Sequence, residues 1–101
     1  MKKIMDNLLK HYMNQDVAVF HTDEEGNSDI VAYVSVNKNL STSKKLEEAF
    51  MKTNTISSAW WRNEEITPMF AGNSCRSTSV GDVVEVDKKK YKCNPVGWKE
   101  V

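Results

Sequence analysis

Two runs of alternating residues, VAVFHT (17–22) and DIVAYVSVN (29–37), flank the polar, glycine-bearing stretch DEEGNS. Alternation with period two belongs to a half-buried strand, and so short a connection permits only antiparallel pairing. In the second run Ile30, Ala32, Val34 and Val36 fall on one face, with Val31, Tyr33 and Ser35 on the other. A β-hairpin with one apolar face is therefore the frame on which the remaining segments must be arranged.

The C-terminal third supplies more strands. VGDVVEV (80–86), KYKCN (90–94) and GWKEV (97–101) are separated by a DKKK turn and by a bend carrying Pro95 and Gly97, the pattern of a β-meander. Between the two strand groups, NLSTSKKLEEAFMKTN reads as a helix. Ser41 or Ser43 can cap its free N–H groups, Leu46, Ala49 and Phe50 form its apolar stripe, and Asn54 is placed for a left-handed C-cap. Met1, Ile4, Met5, Leu8, Leu9, Tyr12 and Met13 follow helical spacing and predict an amphipathic helix ended by Asn14-Gln15-Asp16. Such a stripe serves either as core or, being rich in methionine, as an adaptable partner-binding face. The expected fold is α+β, with two helices packed on a mainly antiparallel sheet that ends in a C-terminal β-meander. The 101 residues suit a single domain spanning 1–101.

Charge narrows the choice of partners. Fourteen Lys and Arg balance fourteen Asp and Glu, so the basic excess of a general polyanion binder is missing. No apolar run reaches the length of a signal peptide or a membrane span, which points to the cytoplasm and to reduced thiols at Cys75 and Cys93.

The irregular middle, TISSAWWRNEEITPMFAGNSCRSTS, holds the candidate site. If Trp60 and Trp61 are extended, their side chains point to opposite sides, so one ring enters the core and the other covers a loop. An exposed Trp beside Arg62 and Asn63 would suit a binding hot spot or a base-stacking platform, whereas two buried rings would simply cap a small core. In CRSTS, the hydroxyls of Ser77, Thr78 and Ser79 can bond nearby backbone and stabilise a turn, with Arg76 free to meet an anion or a partner. A phosphate loop fits poorly, because no GxxxxGK[ST] pattern is present and a strand rather than a helix follows. No GxSxG elbow marks a nucleophile. His11, His21, Cys75 and Cys93 are scattered singly, without metal-ligand spacing, and nothing in the sequence positions a Cys75–His21 dyad. Cys93 suits a small core position. The carboxylates, Asp82 among them, fall in turns or alternate with lysines, as solvated charges do. No acid–base pair emerges, so the sequence supports neither an enzyme nor a cofactor or metal site.

AFMKTNTISSAWWRNEEITPMF followed by CRSTSVGDVVEVDKKKYKCNPVGWKEV resembles a group of short uncharacterised bacteriophage proteins. In that group a helix ending AF..TN precedes a tryptophan-bearing loop, an RSTSVGD turn, a Y.C strand and a GW or GF strand. The tail is also similar to the YodL-like domains of phages and mobile elements, and the likeness covers about residues 46–101. It implies a phage-encoded accessory protein in the cytoplasm of an infected bacterial host, and it carries no activity across. Its motif positions here are Trp60, Trp61, Arg62, Asn63, Arg76, Ser77, Thr78, Ser79, Gly81, Asp82, Tyr91 and Trp98. Together with the residue reading, this yields two expectations. One is a non-catalytic module, monomeric or homodimeric, that binds a host or viral protein through Trp60–Asn63 and Arg76–Ser79. The alternative is a nucleic-acid or nucleotide binder that stacks on a tryptophan and holds phosphate at the RSTS turn.

Overall fold

A computed structural model of the chain describes residues 13–55 and 58–101. The segment expected as the first helix, residues 1–12, lies outside the described residues. Strand β1 (Asn14–Thr22) and strand β2 (Ser28–Asn37) form the expected hairpin, with Val17 opposite Val34 and Val19 opposite Ala32. Asn14-Gln15-Asp16, read from sequence as a helix end, belongs to β1. The Asp23 carboxylate holds the hairpin turn by accepting from the backbone N–H groups of Glu25 and Asn27, each at 2.9 Å. The register shifts between Val19 and Phe20, which pairs Phe20 with Ile30 and leaves both Val31 and Ala32 buried. A single-faced alternation across Ile30–Val36 therefore breaks at this bulge.

Helix α1 (Thr42–Thr53) starts where Ser41 accepts from the Lys44 N–H at 3.2 Å. Asn54 does not take the left-handed conformation expected of it: its φ is −123°, and its amide donates to the Thr78 carbonyl instead. Four further strands follow: β3 (Ile66–Pro68), β4 (Val83–Val86), β5 (Lys89–Cys93) and β6 (Trp98–Glu100). The sheet order is β3-β2-β1-β4-β5-β6, with every neighbouring pair antiparallel, so β4 to β6 make the expected meander. The chain is α+β. Of the two expected helices, the described residues contain the second in full, the first lying outside them, and they add a short edge strand, β3, that the sequence reading left irregular.

The core is mainly valine. Val17, Val19, Val34, Val36, Val84 and Val86 are at most 2% exposed and meet Leu46 and Ala49 of α1. Each buried side chain of this size is worth about 1.5–3 kcal/mol of transfer free energy. Because β3 lies beside β2 and β4 lies across β1, residues 69–82 must cross the end of the sheet. Thr78 fixes that crossing to the end of α1 by donating its N–H to the Thr53 carbonyl at 3.0 Å. CRSTS is thus a strap over the sheet end where β1 finishes and β4 begins. Among the described residues, no helix is long and apolar enough to cross a membrane.

Candidate functional site

Asp82 organises the strap. Its side chain is 2% exposed, and both carboxylate oxygens are shared between two donors. Oδ1 accepts from Thr22 N at 2.9 Å and Arg76 Nη2 at 2.8 Å; Oδ2 accepts from Arg76 Nη1 at 2.7 Å and Ser79 N at 2.8 Å. Burial alone would raise this carboxyl. The Arg76 guanidinium, the N–H groups of Thr22 and Ser79 and the nearby His21 outweigh it and hold the pKa below the usual carboxylate value. Arg76 also donates to the carbonyls of Ser77 and Thr22, at 3.0 and 3.3 Å, so its donor fork is turned onto the protein although the side chain is half exposed. Gly81 makes the turn into β4 with φ +97°, a conformation costly for any residue with a Cβ.

His21 continues the inward face of Val17 and Val19, and its side chain is 9% exposed. Nε2 lies 2.9 Å from Thr78 Oγ1 and 3.9 Å from Asp82 Oδ2, while Nδ1 lies 3.6 Å from Cys75 Sγ. Burial, with Arg76 adding to it and Asp82 partly opposing, lowers the imidazole pKa. Burial raises that of the Cys75 thiol, with Arg76 partly opposing. The resting pair is a neutral thiol facing a neutral ring. In the tautomer that carries its proton on Nε2, the ring donates to Thr78 and leaves the Nδ1 lone pair to the Cys75 S–H.

The tryptophans separate. Residues 60–62 form a short 3₁₀ turn rather than an extended segment, so the opposite-sides expectation for the two rings does not apply. Trp60 is buried, and its Nε1 donates to the carbonyls of Cys75 and Arg76 at 3.3 and 3.1 Å. Trp61 is half-buried, edge-on to Trp60 and to Phe70, each with ring centres 5.6 Å apart. Arg62 and Asn63 are exposed, and Asn63 turns its side-chain oxygen to the Glu65 N–H at 2.8 Å. In the RSTS turn Thr78 is buried, Ser79 is exposed, and Ser77 donates to the Thr55 carbonyl at 3.2 Å. The sequence-marked residues thus fall on two segments, the 60–62 turn and the strap, which the Trp60 Nε1–H joins; Trp60 and Thr78 are buried between them and cannot touch a partner.

A different surface is open. Between α1 and the meander runs a groove of about 600 Å³. Phe50 and Trp98 meet edge to face in it, with ring centres 6.2 Å apart, and Met51 and Val80 line it. Met51 is 64% and Val80 56% exposed, and Val96, next to Pro95 of the groove, is 92% exposed. Of the described residues lining it, Glu47 alone is charged. Sequence reasoning missed this groove because Met51 and Val80 lie 29 positions apart, and no local pattern joins them. It also missed Asp82 as a buried hub. The contact of His21 with Cys75 left one trace, the inward phase of His21 after Val17 and Val19. Among the described residues no group of three or more His, Cys, Asp or Glu is placed to hold a metal ion. No protein-family model, curated protein or solved structure matches the chain.

Proposed function

We propose that this chain is a non-catalytic binding module that holds a protein partner in the groove between α1 and the meander. The observation that carries the reading is the grouping of Met51, Val80 and Val96 around the Phe50–Trp98 pair. Solvent-exposed apolar side chains gathered at one groove mark an interaction surface far better than the same residues scattered. A groove with Glu47 as its one charged lining residue suits an apolar protein segment and offers nothing to a polyanion. The exposed Arg62 and the half-buried Trp61 form a second, smaller contact area on the 60–62 turn. The resemblance to short phage proteins supports a phage-encoded accessory role, with a host or viral protein as partner in the cytoplasm of the infected cell. The nucleotide alternative draws less support, because Arg76 spends its donors on Asp82 and on backbone carbonyls.

The test is capture of partners by tagged protein from phage-infected bacteria, repeated with Met51→Lys plus Val80→Asp and, separately, with Arg62→Ala. The reading expects a protein retained by the wild type and by Arg62→Ala, lost with the double variant, and held at both about 50 and 200 mM salt. Retention of the same protein by the double variant overturns the groove as its site. A nuclease-sensitive complex that weakens steeply with salt transfers the function to nucleic acid.

A further inference from the structure

His21 and Cys75 both line a cleft of about 510 Å³, separate from the groove, together with Val31, Met69 and Phe70. Cys75 is partly exposed there, whereas the imidazole that meets its sulfur at 3.6 Å is nine-tenths buried. Behind the ring, the buried Thr78 hydroxyl fixes Nε2 at 2.9 Å, and the Asp82 carboxylate stands at 3.9 Å. A reachable thiol in front of an anchored ring, with a buried carboxylate behind it, has the parts of an assisted nucleophile. A strap that only closed the fold would not need its thiol turned to a ring nitrogen.

We propose that Cys75 is a thiolation site, where the sulfur, assisted by His21, attacks a low-molecular-weight disulfide and ends as a mixed disulfide within the cleft. As Sγ bonds to one sulfur of the reagent, the Cys75 S–H proton passes to His21 Nδ1. The reagent's own S–S bond breaks, and its departing thiolate takes the proton from Nδ1. Cys75 is oxidised, the departing sulfur is reduced, and no other oxidant enters. The imidazolium formed on the way faces Asp82, which favours it, and Arg76, which opposes it; Asp23 and Asp29, which also line the cleft, add negative charge. That negative charge favours an uncharged or cationic disulfide over an anionic one. Met69 and Phe70 offer the thioether and ring surfaces that sulfur compounds contact favourably. Cys93 lies in the other groove, so it cannot resolve the adduct, and the outcome is a capped thiol reversed by an external thiol rather than a catalytic cycle.

The measurement is the rate of thiopyridone release by dithiodipyridine between about pH 5 and 9, with the modified cysteine assigned by peptide mapping. Cys75 in the folded protein should react at least roughly tenfold faster at neutral pH than in the urea-unfolded chain, through general-base assistance. Its rate should level off above an inflection lying below the ordinary histidine value of about 6.5. His21→Gln should abolish that inflection, leaving a rate that climbs only as the thiol itself ionises, which burial places above the ordinary value of about 8.5. A folded-state rate no faster than the unfolded one overturns the proposal without reference to any variant. An inflection that survives in folded His21→Gln overturns it as well.

Discussion

Arg76 and Asp82 are joined at two points, 2.7 and 2.8 Å, with the Asp82 side chain 2% exposed and that of Arg76 49% exposed. The pair is therefore one-sided: the anion is desolvated, and the cation shields it from the solvent side. Removing the cation leaves a buried carboxylate with only the N–H groups of Thr22 and Ser79 to hold it. Loss of one partner from a buried pair costs about 3–5 kcal/mol, and the half-solvated Arg76 places Arg76→Met near about 3 kcal/mol. Urea unfolding measures this directly. A cost under about 1 kcal/mol would mean that the pair behaves as a surface salt bridge.

Stability should fall on both sides of neutrality, for different groups. The folded pKa of His21 is depressed, mainly by burial, so its stabilising contribution is complete above the unfolded value of about 6.5 and is lost as pH falls through the lower folded value. Asp82 is likewise depressed, and its contribution disappears at more acid pH, below the unfolded value of about 3.9. Cys75 and Cys93 are raised by burial, so their contribution is present below the unfolded thiol value of about 8.5 and is lost as pH rises through the folded values. Thermal unfolding followed from about pH 4 to 10 should show a plateau between about 6.5 and 8.5. In His21→Gln the decline that begins near pH 6.5 should vanish. A Tm that stays flat down to about pH 5 would refute the burial of a neutral His21.

The hairpin, α1 and the meander were legible because each is a local pattern: alternation in 17–22 and 29–37, a capped apolar stripe over 41–54, and turns at 87–90 and 95–97. What was not legible depends on distant residues. Asp82 looks like a turn carboxylate until Thr22, 60 positions away, donates to it. Cys75 and His21 are 54 positions apart and meet because the strap crosses from the β3 edge of the sheet to β4. The bulge that pairs Ile30 with Phe20 has no composition signal, since Ile30, Val31 and Ala32 all suit a strand. Trp60 and Trp61 share a 3₁₀ turn, a choice made by packing against Phe70 and the carbonyls of Cys75 and Arg76 rather than by the WWR sequence itself.

The β4–β5 turn can be improved. Asp87 and Lys88 have φ of 50° and 70°, so both occupy the left-handed region that two-residue hairpins of this kind require. Asp tolerates that region, whereas Lys gains nothing there from its exposed side chain. Lys88→Gly should therefore stabilise the fold by about 0.5–1 kcal/mol, the gain from relieving a side chain at positive φ less the added freedom of the unfolded chain. A rise in Tm with an unchanged urea m-value is the expected result. A fall would show that Lys88 contributes a contact that outweighs the backbone term.

Trp60 and Trp61 should differ sharply on substitution despite being neighbours. Trp60 fills the core under the strap, and its Nε1–H serves two carbonyls of the strap itself. Trp60→Phe keeps most of the apolar volume but leaves those carbonyls without their donor, a loss of about 1–3 kcal/mol. Because the same carbonyls belong to Cys75 and Arg76, the damage should reach the cleft. Exchange protection at the Thr22 and Ser79 amides, both bonded to Asp82, should fall beyond the change in global stability. Trp61→Phe retains edge contact with Phe70 and should cost less than about 1 kcal/mol. Equal losses for the two variants, or unchanged protection of Thr22 and Ser79 in Trp60→Phe, would show that the strap does not depend on the Trp60 Nε1–H.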